Sequence, residues 1–478
     1  MAAISGIVLL TRHGDRQGFY QNPKTYTAVS TNLTVLGYLQ EYQNGADLRN
    51  YYLTNATGAI QGINATKAET KQLNVLADAG GEGGVIIESA NALLQGLYPP
   101  YNESITLANG STVSWGFDRS QLVPIETVEP DQNVWMEGWI DCDNWTSFVN
   151  EWYNSTEFVA KAKVANAFYH NISGLLGDRI LTLQNAYNIY DFLNVQSIHN
   201  ATVSSQIAPY LSQARYWSDY HEAGAFGSSD PASIANIAGQ SILPPLLNAV
   251  HQIANATTGL KLTYLAASYK PFLGLFNMMQ LPAPLFNSLV DYASAAVFEV
   301  RADSTVTMRF RNGTSGDFVT YPLFGSSVES MSISDFTSKL LPYSLDSLAK
   351  WCNKCGNSKT RGCLPLAKLN GTGGGSLEYA PNTSTSGRHH VSPVVGGVIG
   401  AMATLAVAAL LLAVWLFFGG MVKRTRKQAQ NPDDSQQCKP VTAPRSPRNS
   451  GFEMPSHTNS AAGSSQSNIH RSDSKTVD

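Results

Sequence analysis

The stretch ISGIVLLTRHGDR, residues 4–16, joins an apolar run to a cluster of charged side chains. The run at residues 4–10 has the length and composition of a buried β-strand. Arg12, His13 and Arg16 follow it almost at once. Because open α/β sheets bind their ligands at the carboxyl ends of strands, the stretch predicts an α/β fold with a site at residues 12–16.

The residue types in this cluster suit the binding and transfer of a phosphoryl group. Arg12 and Arg16 offer forked donors that match phosphate oxygens, and they keep their charge at every relevant pH. A neutral imidazole at His13 can attack phosphorus and carry the phosphoryl group, which divides one displacement into two. Gly14 allows the backbone to approach a ligand closely. The cluster therefore indicates a phosphate-binding site.

Helical and turn signals organise the chain around this site. Residues 34–53 are predicted to form a helix with Leu36, Leu39 and Leu48 on one side, and a second helix is predicted to open at residue 90. The glycine-rich residues 80–84 predict a turn or loop, because they lack the Lys-Ser/Thr pair of a P-loop. Residues 1–365 are thus expected to form one compact unit.

An ordered series of motifs extends the first cluster. The series comprises Arg12-His13-Gly14-Asp15-Arg16, Leu33-Thr34-x-x-Gly37-x-x-Gln40 with Gly45, Leu48-Arg49-x-x-Tyr52, Ser89-Ala90 before Gly96-Leu97-Tyr98-Pro99, and Tyr292-Ala293-Ser294 leading to Glu299. It resembles the histidine acid phosphatases of the histidine phosphatase superfamily, the branch with a late His-Asp motif, and we identify the chain as a divergent, fungal-type member.

The resemblance spans about residues 4–365 and implies both a fold and a mechanism. The fold is a doubly wound α/β sheet core with an inserted, mainly helical cap domain over the site. The mechanism is a phosphohistidine one, in which His13 is the nucleophile and Arg12 and Arg16 bind the phosphate. No metal and no cofactor is expected.

Three departures from the family pattern bear on catalysis. Gly18 stands where the family usually has proline, which changes only a loop. Val85 occupies the usual position of a third phosphate-binding arginine. Ala267 and Ser268 align by spacing with the late His-Asp pair, in which histidine binds phosphate and aspartate protonates the leaving group. Without these groups an alkyl phosphate is expected to be almost untouched.

Three other residues could substitute for the missing groups. Lys270 could supply cationic charge in place of the arginine expected at Val85. His221 and Glu222 could provide a proton donor, because burial can raise the pKa of a carboxyl group until it acts as an acid. The alternative is that Lys270 is a solvated surface residue and that His221 and Glu222 form a loop or helix-end pair.

A membrane anchor is predicted near the C-terminus. Residues 391–422 are 32 consecutive residues without a charge, and a span is expected at residues 393–421. Lys423 and Arg424 follow directly, which places the tail at residues 422–478 in the cytoplasm, where its polar composition predicts disorder. Residues 366–392 are expected to form a Gly/Ser/Thr-rich stalk. The pair Gly396 and Gly400 indicates a homodimer only weakly.

N-glycosylation sequons support this orientation, because all of them precede the predicted span. The thirteen sequon asparagines are Asn32, Asn55, Asn64, Asn102, Asn109, Asn144, Asn154, Asn171, Asn200, Asn255, Asn312, Asn370 and Asn382. Four cysteines on the same side (Cys142, Cys352, Cys355 and Cys363) are able to make two disulfides, and Cys438 lies in the tail. Their spacing also allows part of a zinc site, although a fourth nearby ligand is absent.

The start of the chain does not fit a lumenal protein. Residues 1–11 have neither the positive region nor the small-residue cleavage site of a signal peptide, so we expect a leader upstream of Met1.

Two functions follow from these observations. The first is a membrane-anchored, N-glycosylated histidine acid phosphatase-like protein that hydrolyses phosphomonoesters through a phosphohistidine on His13. The alternative is a catalytically silent pseudophosphatase that binds a phosphorylated ligand or partner. In either case the folded domain, residues 1–365, is expected to be extracellular or lumenal. A net charge of −3 gives no reason to expect a nucleic-acid partner.

Overall fold

The computed structural model of the chain describes residues 2–18, 31–79, 84–115, 120–127 and 134–370. Strand β1 (Ile4–Arg12) lies inside a mixed sheet, between the parallel strand β5 (Leu262–Ala267) and the antiparallel strand β6 (Ala295–Arg301). The remaining strands are β2 (Leu73–Ala77) beside β5, β7 (Thr305–Arg311) beside β6, and β8 (Val319–Tyr321) and β9 (Ser330–Ser332), which both pair with β7. The strand predicted at residues 4–10 is confirmed.

The side chains of β1 alternate between two apolar clusters, one on each face of the sheet. Val8 and Leu10 belong to one cluster and Ile7 and Leu9 to the other. Such a strand must be apolar at nearly every position, which explains the unbroken run in the sequence. The face of Ile7 is covered by α1 (Val35–Arg49) and α2 (Val85–Leu97), and the face of Val8 by α8 (Ile237–Ala254), α9 (Lys270–Met278), α10 (Ile333–Leu340) and α11 (Leu348–Cys355).

A largely helical segment interrupts the chain between β2 and β5, although these two strands are neighbours in the sheet. It contains a hairpin, β3 (Glu103–Thr106) and β4 (Thr112–Trp115), and the helices α3 (Asp143–Tyr153), α4 (Thr156–Asn171), α5 (Ser173–Leu176), α6 (Ala186–His199) and α7 (Ser204–Phe226). Helices α4, α6 and α7 share an apolar cluster of their own. The structure therefore has the expected sheet core and helical insertion.

Two predicted helices are present with altered ends. Helix α1 begins at Val35, because the Thr34 side chain caps it by accepting a hydrogen bond from the Gly37 amide, and a π-helical turn (Asn50–Thr54) continues it. Helix α2 begins at Val85, five residues before the predicted start at residue 90. Val85 and Ile86 are fully buried, so their packing extends the helix back towards the glycine-rich loop.

The four cysteines of the folded unit form two disulfides, as predicted. Cys142 is bonded to Cys355 and Cys352 to Cys363, the first residue of α12 (Cys363–Asn370). The first disulfide joins the start of α3 to the end of α11. These bonds use the thiols that a zinc site would need.

The predicted stalk, span and tail lie almost entirely outside the described residues. Within the part of the chain that the structure describes, no helix combines the length and the apolar character needed to cross a membrane.

Candidate active site

His13 lies at the carboxyl end of β1 and is only 1% exposed. Its amide donates a hydrogen bond to the Ala267 carbonyl (3.2 Å), and its carbonyl accepts one from the Ala293 amide (3.1 Å). The ring atom Nδ1 lies 2.8 Å from the Gly14 carbonyl oxygen. A carbonyl can only accept, so Nδ1 carries the hydrogen and the lone pair of a neutral ring is on Nε2. The ring is thus oriented with a potential nucleophile at Nε2.

The electrostatic surroundings keep this imidazole neutral. Burial lowers the pKa of His13 well below its ordinary value, and the positive charges of Arg12 and Arg16 lower the pKa further. The Gly14 carbonyl and Asp191 act in the opposite direction but are the weaker influences. Only a neutral ring can attack phosphorus, so the site favours the reactive form of His13.

The motif series found in the sequence converges on the loop after β1. The Gly14 amide donates to the Ser89 hydroxyl (3.1 Å), and the Asp15 amide donates to Gln40 Oε1 (2.8 Å). A β-carbon on Gly14 would lie 2.5 Å from the carbonyl oxygen of Gly37, so only glycine permits α1 to approach this closely. These contacts explain why residues far apart in sequence accompany His13.

The two motif arginines have different surroundings. Arg12 donates to the Val290 carbonyl (2.5 Å), and its guanidinium lies over the ring of Tyr292 at 4.4 Å. Arg16 forms a buried ion pair with Asp191 of α6, with a nitrogen–oxygen distance of 3.0 Å. Both side chains of that pair are almost inaccessible to solvent, at 1% and 3% exposure. Asp191 therefore neutralises much of the charge that Arg16 would present to a phosphate.

A cavity of about 310 Å³ opens beside Arg12. One face of α6 contributes to its wall, at the i, i+3, i+4 and i+7 spacing that keeps side chains on one side of a helix. The α6 residues concerned are Tyr187, Tyr190, Asp191, Asn194 and Ile198, and other elements add Gln40, Arg215, Asp291, Tyr292, Asn312, Gly313, Thr314 and Ser315. The helical insertion therefore covers the site.

Arg215 brings a second guanidinium to the wall of the cavity. It donates to Asp219 (3.0 Å) on its own helix, to Asp291 (2.8 Å) and to the Tyr190 hydroxyl (3.0 Å). Sequence reasoning missed Asp191 and Arg215, because neither lies in the motif series. The helical spacing of polar residues in α6 was the available signal for Asp191.

The positions where the chain departs from the family pattern contain no replacement acid or base. Val85 is fully buried at the start of α2. Ala267 ends β5 and pairs in register with Arg12, so the first side chains beyond the strand are Ser268 and Tyr269. The Ser268 hydroxyl is buried and has no hydrogen-bond partner among the described residues.

The structure does not place Lys270 as a phosphate ligand. Its ammonium group lies over the rings of Tyr269 (4.7 Å) and Trp139 (4.9 Å), and Lys270 is not among the residues that line the cavity. Its ammonium group is thus packed against aromatic rings, and its role as a phosphate ligand stays a prediction.

His221 and Glu222 form a buried network in α7 that does not line the cavity. His221 Nδ1 lies 2.7 Å from Glu222 Oε1, and the Tyr269 hydroxyl donates to Glu222 Oε2 at 2.7 Å. Burial alone would raise the pKa of Glu222, but the hydrogen bond and charge of His221, the charge of Lys270 and the Tyr269 hydrogen bond outweigh it and lower the pKa. Glu222 is thus ionised and cannot be the proton donor that a raised pKa would have allowed.

Among the described residues, no group of three or more His, Cys, Asp or Glu side chains is arranged to hold a metal ion.

The structure combines a central strand that ends in an Arg-His cluster with a helical insertion. The chain is 25% identical over 327 residues to the lysosomal acid phosphatase of Rattus norvegicus, covering 64% of this chain and 70% of that protein. It is 24% identical over 330 residues to the lysosomal acid phosphatase of Homo sapiens, covering 66% and 72%. No protein-family model matches the chain.

A solved structure shows the same fold. The phytase from Citrobacter braakii covers 74% of this chain and 99% of its own, with a TM-score of 0.51 and 12% sequence identity. The relatives and the shared fold support the histidine acid phosphatase family for this chain.

The buried pair of Arg16 and Asp191 should contribute strongly to stability. We predict that Asp191→Asn lowers the free energy of unfolding by about 3–5 kcal/mol, because it leaves a buried guanidinium without its carboxylate. The matched control is Asp346→Asn, which breaks an exposed pair with Lys350 and should cost at most about 1 kcal/mol. Chemical denaturation of both variants measures the difference, and equal losses would contradict the prediction.

Proposed function

We propose that the protein hydrolyses phosphomonoesters, with His13 as the nucleophile. The observation that carries the proposal is a buried imidazole, kept neutral beside two arginines, of which Arg12 lines a cavity large enough for a small phosphate ester. The similar proteins from rat and human, which are named lysosomal acid phosphatases, support the same reaction class.

The geometry supports a two-step displacement. In the first step His13 Nε2 attacks phosphorus, and the bond between phosphorus and the leaving oxygen breaks. Arg12 and Arg16 would stabilise the charge on the transferring phosphoryl oxygens. In the second step water attacks the phosphohistidine, and its nitrogen–phosphorus bond breaks to release phosphate and regenerate the neutral ring.

The missing groups limit which esters can react well. A positioned general acid contributes about 10²- to 10⁴-fold, and alkyl leaving groups need it more than aryl ones. Neither Ala267 nor Ser268 can act as a carboxylic acid or an imidazole. Aryl phosphates are therefore expected to be the better substrates unless another residue supplies the proton.

A second candidate function is a silent phosphate-binding protein. The pairing of Arg16 with Asp191 supports it, since a neutralised arginine stabilises a transition state less than a free one. Phosphate would then bind near Arg12, and the cytoplasmic tail would report its binding. The intact motif around His13 makes hydrolysis the better supported of the two.

We also propose that this fungal-type family member is N-glycosylated and anchored by one span at residues 393–421. Every sequon asparagine whose side chain is described is at least partly exposed, as the attachment of a glycan requires. The disulfides suit an oxidising compartment, and the folded domain would lie outside the cytoplasm. Its partners would be phosphorylated small molecules and the membrane, with a homodimer through the span as a weaker proposal.

Hydrolysis through His13 is tested with the full chain in detergent and an aryl phosphate such as nitrophenyl phosphate. Wild-type protein should release phosphate, and His13→Ala should abolish this turnover, because no other nucleophile faces the phosphate in the proposed mechanism. Thermal unfolding of both proteins with inorganic phosphate serves as the control for folding and binding. Identical rates for the two proteins would contradict hydrolysis, and stabilisation by phosphate without turnover would favour the silent binder.

The lowered pKa of His13 predicts the acid side of the pH profile. A neutral nucleophile is lost only when pH falls below its own pKa, which here lies well below the ordinary value of about 6.5. We expect kcat/KM for aryl phosphates to stay level as pH falls through 6.5. Comparing two esters whose phosphate groups have different pKa values distinguishes ionisation of the substrate from ionisation of His13. A tenfold loss per pH unit, starting near 6.5 for both esters, would contradict the expectation.

Glycosylation and membrane orientation are tested together by expressing the full chain in eukaryotic cells that have a secretory pathway. Removal of N-glycans with an endoglycosidase should reduce the apparent mass of the full chain. A protease added to intact cells should digest the folded domain while sparing an epitope fused after Asp478, until the membrane is permeabilised. An unchanged mass would exclude glycosylation, and loss of the epitope from intact cells would reverse the orientation.

A further inference from the structure

We propose that the hydroxyl group of Tyr292 donates the proton to the leaving oxygen, in place of the carboxylic acid that Ala267 and Ser268 cannot provide. The inference rests on the proposed function, since a leaving group exists only if the ester is cleaved.

The loop that contains Tyr292 is attached directly to the nucleophile. The Ala293 amide donates to the His13 carbonyl (3.1 Å), and the Arg12 amide donates to the Ser294 carbonyl (3.0 Å). Between these bonds Ala293 has a left-handed backbone conformation with φ of 58°, which is uncommon for a residue with a β-carbon. Asn44 supports this turn by donating to the Ala293 carbonyl at 3.2 Å. A strained conformation that its neighbours enforce in this way is typical of functional sites.

This attachment places the Tyr292 ring at the reacting centre. The ring centroid lies 5.6 Å from that of the His13 imidazole and 4.4 Å from the Arg12 guanidinium carbon. Tyr292 also lines the cavity beside Arg12. A phosphate held by Arg12 and attacked by His13 would therefore have this phenol as a neighbour.

The hydroxyl of Tyr292 is available and keeps its proton. Among the residues that the structure describes, none forms a hydrogen bond with it, although the side chain stands in a largely buried setting. Burial raises the pKa of Tyr292 to about 12. The charged groups that face the phenol are Arg16, Asp191, Arg12 and Asp15. The phenol is thus protonated at physiological pH, and of these groups Arg16 and Arg12 are the ones that would stabilise a transient phenolate.

Three other tyrosines near Arg12 already form hydrogen bonds, and one of them, Tyr190, accepts a hydrogen bond from Arg215 at 3.0 Å. Tyr269 donates its hydroxyl hydrogen to the carboxylate of Glu222, at 2.7 Å. Tyr187 is on the helical insertion, where its hydroxyl lies 3.4 Å from Arg16 and its ring packs on that of Tyr269. Tyr292 is the member of this group that combines proximity to His13 with a hydroxyl unbound by the described residues.

The proton balance of the reaction is complete with this assignment. When His13 Nε2 attacks, the bond from phosphorus to the leaving oxygen breaks and the Tyr292 proton passes to that oxygen, which leaves as an alcohol. The phenolate remains beside Arg12 and Arg16. In the second step it takes a proton from the attacking water, and the bond between His13 and phosphorus breaks. An alkoxide is a stronger base than a phenolate, so the first transfer is favourable.

The test compares two esters on full-length protein: nitrophenyl phosphate, which scarcely needs an acid, and an alkyl phosphate such as glycerol phosphate, which does. For Tyr292→Phe we expect the alkyl ester to lose about 10²- to 10⁴-fold in kcat/KM and the nitrophenyl ester less than about tenfold. The matched control is Tyr187→Phe, which removes a cavity hydroxyl beside Arg16. It should slow both esters by the same factor.

Each outcome decides the inference. A selective loss for the alkyl ester in Tyr292→Phe supports the proton donor. Equal losses for the two esters, or no loss, would overturn it and assign Tyr292 to packing or phosphate binding. If wild-type protein and His13→Ala cleave nitrophenyl phosphate at the same rate, the proposed function is overturned as well. That comparison does not involve the Tyr292 variant, so failure of the proposed function can be told apart from failure of this inference.

Discussion

The pairing of β1 with a strand on each side is the constraint on which the rest of the site depends. Hydrogen bonds to β5 and β6 keep the end of β1 inside the sheet, where solvent cannot reach His13. They also bring two connections to the same edge: the turn after Ala267 and the loop before β6 that carries Tyr292. Two segments that lie far from His13 in sequence, at Ala267 and at Ala293, thus both contact the backbone of His13.

Much of the core could be predicted because it depends on local patterns. The apolar run before Arg12 is readable as a buried strand, since a strand covered on both faces allows few polar residues. Thr34, Gln40 and Ser89 were found as parts of a motif series, and the structure shows them holding the loop of Gly14 and Asp15. These contacts bring together short sequence motifs that follow one another in a fixed order along the chain.

The presence of a helical insertion could be predicted, but the contacts that its side chains make with the site could not. Asp191 pairs with Arg16 across 175 residues, and no spacing rule connects the two. The role suggested for Lys270 came from its position next to the missing pair, and that suggested for His221 and Glu222 came from the acidity of a buried carboxyl group. Tertiary packing instead turns these side chains into an aromatic and hydrogen-bonded network behind Tyr269, where Glu222 is held ionised. The cavity lining consequently contains Arg12 and Arg215 together with Asp191 and Asp291.

Two side-chain pairs link the middle and the C-terminal end of α6 to the loop after β1. Asp191 meets Arg16 near the middle of the helix, and His199 meets Asp15 at its last turn, with a nitrogen–oxygen distance of 2.7 Å. A hinge motion that moved α6 away from this loop would have to separate both pairs. It would also expose the buried carboxylates of Asp191 and Asp15. The cavity of about 310 Å³ is therefore preformed, and its volume limits the size of any ligand that it can hold.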